Sequence, residues 1–209
     1  MTLTRHKAAG GRRLADGSLA RAPQRVRIIG GRYRRTPIPV IDAPGLRPTP
    51  DRVRETLFNW LTHLLADLAA VRGLDLFAGS GALGFELASR GARRVVLVER
   101  NPRLVEQLHR LRERLGAGEV EIVAADWLAA VGSLAPGSFE LVFLDPPFDA
   151  GLMPAALSRA RGLLAPQGLI YAEADAPVDP GQALACGLEV VRSARAGMVH
   201  FHLLRALAS

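Results

Sequence analysis

Cysteine is nearly absent from the 209-residue chain. Cys186 stands alone, which excludes an internal disulfide and a thiolate metal cluster. No apolar run approaches the ~20 residues that a membrane-spanning helix requires. The basic start, residues 4–11, lacks the following apolar segment of a signal peptide. Together these absences lead to the expectation of a soluble, cytoplasmic protein. Histidines are few and scattered (His6, His63, His109, His200 and His202), so no ligand cluster is legible and no metal is expected. His200 and His202 fall on one face of a strand, but two ligands without a third read as a hydrogen-bonded or solvated pair. Lysine is almost missing, and the basic residues are nearly all arginine, which forks to phosphate and stacks on bases. The length suits one principal domain with a small appendage.

The charge that is present is uneven. Residues 1–35 carry ten basic side chains against Asp16, a local +9, so the rest of the chain sums to −2 of the net +7. That polarity is the pattern of a nucleic-acid-binding arm on a near-neutral body. Residues 1–24, with glycine, alanine and no apolar period, read as a basic flexible tail. Residues 25–45 read as a small hairpin: an alternating run ends at Gly30-Gly31, and a second short strand candidate spans 36–41. The arginines of this unit, Arg25, Arg27, Arg32, Arg34 and Arg35, are the RNA-binding candidates. Residues 46–209 form the main domain.

That domain opens with Thr49 as an expected N-cap and Pro50 at the first helical position. Val53, Leu57, Trp60, Leu61, Leu64 and Leu68 then recur at helical spacing, leaving Arg52 and Arg54 off the apolar stripe as solvated charges or as neighbours of the pocket. From Leu74 onward strand and helix patterns alternate. Strands are expected at 74–76, 95–99, 120–124, 139–144 and 169–173, and helices at 82–89, 101–115 and 152–164. A closing antiparallel hairpin is expected over 188–204. The fold class is α/β, a doubly wound, mostly parallel sheet with helices on both faces. Ligands in such sheets gather at the carboxyl ends of the strands. Asp75, Glu99, Asp126 and Asp145 all fall there. Between the first two, Gly79-Ser80-Gly81-Ala82-Leu83-Gly84 has the G-x-G-x-x-G spacing of a nucleotide turn, with Glu99 placed to accept hydrogen bonds from ribose hydroxyls.

Asp145-Pro146-Pro147-Phe148 directly follows the 139–144 strand. Proline cannot continue a ladder and fixes the backbone, so the segment is a stiff loop at the ligand edge. Asp145 and a carbonyl of the proline segment can accept hydrogen bonds from an exocyclic amine, and Phe148 can stack on the base that bears it. An aromatic amine is a poor nucleophile because its lone pair is delocalised. Acceptors that orient it and stabilise the charge developing on nitrogen promote its attack.

Asp-Pro-Pro-Phe resembles the Asn/Asp-Pro-Pro-aromatic motif of S-adenosylmethionine-dependent amino-methyltransferases. Together with residues 27–31, 46–61 and 74–84, it makes the chain similar to the bacterial RsmD family from about Val26 to the C-terminus. The resemblance implies a seven-stranded Rossmann-like methyltransferase domain that moves a methyl group to guanine N2 of 16S ribosomal RNA. It further implies an assembling 30S particle as substrate, and a monomeric enzyme is the expectation beside it. Asp75, Gly79, Ser80 and Gly81 would line the methionine end of the cofactor, Glu99 its ribose and Asp126 its adenine. Arg47, Thr49 and Arg52 would lie beside it, and Asp145, Pro146 and Phe148 would be the catalytic grip on the guanine. The basic extension 1–24 departs from the family pattern. An adenine-N6 methyltransferase, a nicotinamide-dependent oxidoreductase and a non-catalytic RNA-binding assembly factor are the competing readings.

Overall fold

The computed structural model describes residues 26–41, 49–65, 67–147 and 151–207. Among them, seven strands form one sheet and two more form a separate small pair. The small pair is β1 (Val26–Arg27) and β2 (Pro37–Ile38), antiparallel, with Val26 opposite Ile38. The strands of this hairpin are only two residues long because the nine residues between them curl against the main domain.

Helix α1 (Asp51–Leu64) leads into β3 (Arg72–Asp75). Then α2 (Ala82–Ser89), β4 (Arg94–Glu99), α3 (Pro102–Leu115) and β5 (Val120–Ala124) build one half of the sheet. After α4 (Trp127–Ser133) the chain crosses back to β6 (Phe139–Leu144), α5 (Met153–Leu163) and β7 (Leu164–Ala174). A short α6 (Pro180–Ala185) precedes the hairpin β8 (Leu188–Ala196) and β9 (Val199–Ala206). The strand order is β5-β4-β3-β6-β7-β9-β8, and β9 runs antiparallel to both its neighbours. The order reverses between β3 and β6. At such a switch point the flanking connections leave in opposite directions and open a crevice beyond the carboxyl ends.

Strand alternation sorts the core into two layers. Leu141, Phe143, Leu169, Tyr171, Phe201 and Leu203 face α1, α2 and α3. Leu74, Val142, Leu144, Ile170, Ala172 and Leu204 face α4, α5 and α6. The β1–β2 unit belongs to the first layer, since Val26, Ile28, Tyr33 and Ile38 are buried in it. Helix α1 packs its Phe58 ring 6.5 Å from Phe143 and its Trp60 ring 5.3 Å from Phe201.

The structure departs from the sequence reading at several points. Pro50, not Thr49, occupies the N-cap of α1 and its ring has no atom that could cap the helix, while the Thr49 hydroxyl donates to Glu173. The α1 helix ends at Leu64, and Leu68 lies in a separate 3-10 turn. Strand β7 starts at Leu164, directly after α5, through an irregular stretch in which Gln167 takes a φ of 63°. Arg54 is neither solvated nor at a pocket rim. It is fully buried.

Candidate active site

The glycine turn starts where β3 ends. Gly79 and Gly81 take left-handed φ values of 53° and 81°, and Gly81 is the N-cap of α2. Side chains rarely adopt that backbone, which accounts for glycine at both places. The Gly79 N–H donates to Glu99 Oε2 at 2.9 Å, and the Asn101 N–H donates to Oε1 at 2.8 Å. Glu99, half-buried at the end of β4, is thereby aimed over the turn with lone pairs still available for hydroxyl donors. Asp126 follows β5 and is the N-cap of α4, accepting from the Leu128 N–H at 2.9 Å, with Arg100 3.7 Å away. The Trp127 ring is tilted against Phe77, centroids 5.6 Å apart.

Asp75 ends β3 and is 2% exposed. Its carboxyl is pushed up to about 7, chiefly by burial, with the Phe77 N–H opposing the rise and the charges of Glu99 and Glu173 adding to it. Asp145 lies just past β6 and is half-buried, and Pro146 is buried beside it. Asp75 and Asp145 therefore flank the β3/β6 switch point. Phe148 falls outside the described residues, as do Arg47 and Arg25. Thr49 is buried and Arg52 is exposed near the start of α1.

A second layer beneath these residues carries no sequence motif. Glu173 sits one step beyond the Leu144–Ala172 pair, which puts it beside Asp145 on the neighbouring strand. The Tyr171 hydroxyl donates to its Oε1 at 2.9 Å, and Thr49 donates to the same carboxyl. Burial raises the Glu173 carboxyl, while those hydrogen bonds and the Arg54 charge pull it down. Arg54 donates to the Arg27 carbonyl at 2.8 Å and to Asp51 at 2.7 Å, and its Nη1 lies 3.5 Å from Glu86. Glu86 in turn accepts from the Ile29 and Gly30 amides and from Arg90. The only signal in the sequence for Glu173 is an acid closing an apolar strand, two residues after a tyrosine.

The arginine candidates are dispersed. Arg27 pairs with Asp51, and Arg32 pairs with Glu119 and donates to the Tyr33 hydroxyl. Arg34 and Arg35 are exposed. Their turn is fixed to the last residue of α2: the Arg32 N–H donates to the Ser89 carbonyl at 2.7 Å, and the Tyr33 N–H donates to its hydroxyl at 2.8 Å. Gly31, at φ +74°, lies so close that a Cβ there would stand 1.8 Å from the Ser89 oxygen. This turn thus occupies the end of α2 opposite the glycine turn. His202 is buried, its imidazole lowered mainly by burial, and its Nε2 accepts from the Val178 N–H at 3.3 Å. Among the described residues no three His, Cys, Asp or Glu side chains gather as metal ligands would.

The glycine turn with its flanking acids fits a nucleoside cofactor. The turn lets a ligand approach the backbone, the Glu99 carboxylate is pre-oriented by two amides, and buried Asp75 can meet an ammonium group. Comparison with known proteins agrees with this geometry. The family model described as conserved hypothetical protein 95 matches residues 26–205. The chain is 44% identical over 155 residues to the ribosomal RNA small subunit methyltransferase D of Escherichia coli (strain K12), covering 72% of this chain and 75% of that protein. It is 40% identical over 157 residues to the protein of the same name from Haemophilus influenzae, covering 72% and 79%. A solved structure, the putative methyltransferase yhhF from Escherichia coli, superposes with a TM-score of 0.75 at 37% identity, covering 89% of this chain and all of that one. The chain belongs to the conserved hypothetical protein 95 family, the RsmD family that its motifs resemble.

Proposed function

We propose that this protein transfers a methyl group from S-adenosylmethionine to the exocyclic N2 of a guanine in 16S ribosomal RNA, within an assembling 30S particle. The observation that carries this reading is the single edge on which the glycine turn, Glu99, Asp126 and the Asp145-Pro146 corner meet, in a family whose relatives are named ribosomal RNA methyltransferases. The family supports rRNA as the acceptor; the proline corner suits an exocyclic amine, and the choice of guanine N2 is what the resemblance to the RsmD family implies. Ribosomes assemble in the cytoplasm, so the reading puts the enzyme there.

The bound cofactor would supply an electrophilic methyl group on a sulfonium. Asp75, Gly79, Ser80 and Gly81 hold its amino-acid end, Glu99 accepts from the ribose and Asp126 from the adenine amine. Thr49 and Arg52 would close the pocket from the α1 side, where the resemblance also assigns Arg47. Asp145 and the Pro146 carbonyl accept the hydrogens of the base amine, which turns its lone pair toward the donor and stabilises positive charge on nitrogen. By the resemblance, Phe148 would stack on the base. As the acceptor from the amine, Asp145 would take the proton that leaves after methylation, or solvent would.

The test is methyl transfer from labelled cofactor to unmodified small subunits and to protein-free ribosomal RNA, followed by nucleoside mass spectrometry. N2-methylguanosine is expected, with particles methylated faster than bare RNA. Methyladenosine as the product would favour the adenine reading, and the absence of any incorporated methyl would favour a binding factor.

A further inference from the structure

The sheet has a second end, and its chemistry differs from that of the candidate active site. Where β3, β4 and β5 begin, Arg72, Arg93, Arg94, Gly118, Glu119 and Glu121 line a cleft of about 450 Å³. Sheet register places Arg72 opposite Arg94, and the Arg93 N–H donates to the Val71 carbonyl at 3.0 Å. The arginine turn reaches the same cleft, since Arg32 pairs with Glu119 at 2.7 Å. Its backbone is fixed nearby by Ser89, four residues before Arg93.

Each carboxylate at this end already has its own arginine. Glu119 holds Arg32, Glu121 holds Arg94 at 2.6 Å, and Glu140 holds Arg72 at 2.6 Å. Arg93 is left over: it is exposed, and its guanidinium makes no hydrogen bond or ion pair among the described residues. The Arg94–Glu121 pair is about half exposed on both sides, at 46% and 53%. Exposed pairs hold weakly in water, so Arg94 can turn to a second acceptor at little cost. A guanidinium forks onto phosphate oxygens, which makes an arginine cleft a match for a phosphodiester. The lining has none of the apolar or aromatic side chains that anchor a protein partner or a small molecule. On the adjoining turn Arg35 keeps a left-handed φ of 68°, so a cation stands there despite a conformational cost that glycine would avoid.

We propose that this cleft, with Arg93 as its free cation, docks the phosphate backbone of the RNA substrate, away from the edge where the methyl group moves. The inference rests on the RNA methyltransferase reading above. Arg94 and Glu99 are the two ends of β4, so the cleft lies roughly 17 Å from the cofactor edge. A phosphate held there adds affinity and orientation for a large folded acceptor and takes no part in the chemistry.

Arg93→Ala removes the free cation and keeps the backbone bond to Val71. Filter-binding titrations of the full chain on protein-free 16S ribosomal RNA, over a range of salt, read the result. The slope of log affinity against log salt should shrink by about 0.7–0.9 of a unit, and affinity at low salt should fall roughly three- to tenfold. The dissociation constant of S-adenosylhomocysteine, measured by calorimetry, should not change. Arg159→Ala removes one exposed arginine from α5, on the other face of the sheet, and should leave the slope at its wild-type value. An unchanged slope in Arg93→Ala overturns the proposal. So does an equal fall in both variants, which would report net charge alone. Slower methylation of small subunits by Arg93→Ala, with binding to bare RNA unchanged, would assign the cleft to a protein of the particle and overturn it as well. A wild-type chain that neither binds ribosomal RNA nor methylates it would instead reject the methyltransferase reading itself.

Discussion

Replacing Asp145 with alanine removes an acceptor for the base amine without touching the glycine turn. Methyl transfer should fall by roughly a hundredfold or more, while calorimetry should find S-adenosylhomocysteine affinity within a few-fold of wild type. Equal losses in both would place Asp145 on the cofactor instead. Asp75 makes a different prediction, about pH. Its carboxyl stands at about 7 in the fold, against an ordinary value of 3.8. Below pH 4 both folded and unfolded chains hold the proton, and the stability is complete. Between pH 4 and 7 the unfolded chain releases it and the folded chain keeps it, so stability falls as pH rises, by on the order of 4 kcal/mol. Urea midpoints measured across that range should show the decline, and Asp75→Asn should flatten it. At this scale the sequence was informative wherever a residue announced itself by chemistry at a strand tip, as Glu99, Asp126 and Asp145 do. It was silent on Glu173 and Arg54, whose partners lie far away in the chain and meet only when β7, α1 and α2 pack. Arg54 in particular reads as a solvated charge or a neighbour of the pocket, because nothing local shows that Glu86, 32 positions later, will be buried beside it.

Glu86 and Arg54 join three elements: α1, α2 and the segment after β1. Truncating one member of a buried pair costs up to about 3–5 kcal/mol when the other is left charged and uncompensated, and here Arg90 at 2.8 Å still partners Glu86, so the loss should fall below that range. Arg54→Leu should therefore lower the thermal midpoint. Hydrogen exchange at the Ile29 and Gly30 amides should rise further than in the central strands β3 and β6, because those amides lose an oriented acceptor. Uniform acceleration across the sheet would show that the pair supports the whole core and not this junction. The elements themselves were largely legible. Largely apolar runs gave β4, β5 and β6 close to their observed limits, and Asn101-Pro102 marked the start of α3. Two short helices, α4 and α6, escaped because six or seven residues do not establish a helical period. Their Asx caps, Asp126 and Asp179, were the available signs. The Thr49 cap failed for a tertiary reason: the hydroxyl is held by Glu173, and the helix begins without it.

For the whole molecule, the relevant quantity is how RNA affinity responds to salt. Every phosphate that the protein ceases to neutralise should reduce the slope of log affinity against log salt by about one unit or slightly less. Removing residues 1–24, which carry Arg5, Lys7, Arg12, Arg13 and Arg21, should flatten the slope and weaken binding to any RNA sequence. Arg34→Ala with Arg35→Ala should do the same to a smaller degree, while leaving cofactor affinity untouched. An unchanged slope in filter-binding titrations would leave both segments without a role on RNA. The α/β class, the parallel order and the closing hairpin could all be expected from the alternation of patterns along the chain. The docking of the β1–β2 unit could not, because it depends on Gly31 meeting Ser89 and on Glu86 capping two amides from 56 and 57 positions away.

The placement of that arginine turn has a further consequence. It is bolted to the far end of α2, an eight-residue helix that separates it from the nucleotide turn by about 12 Å. An acceptor that touches both must have a set span, and we propose that the two sites together act as a caliper on folded RNA. Short oligonucleotides that carry the target base, yet are too small to bridge the two jaws, should be methylated slowly however well their base fits.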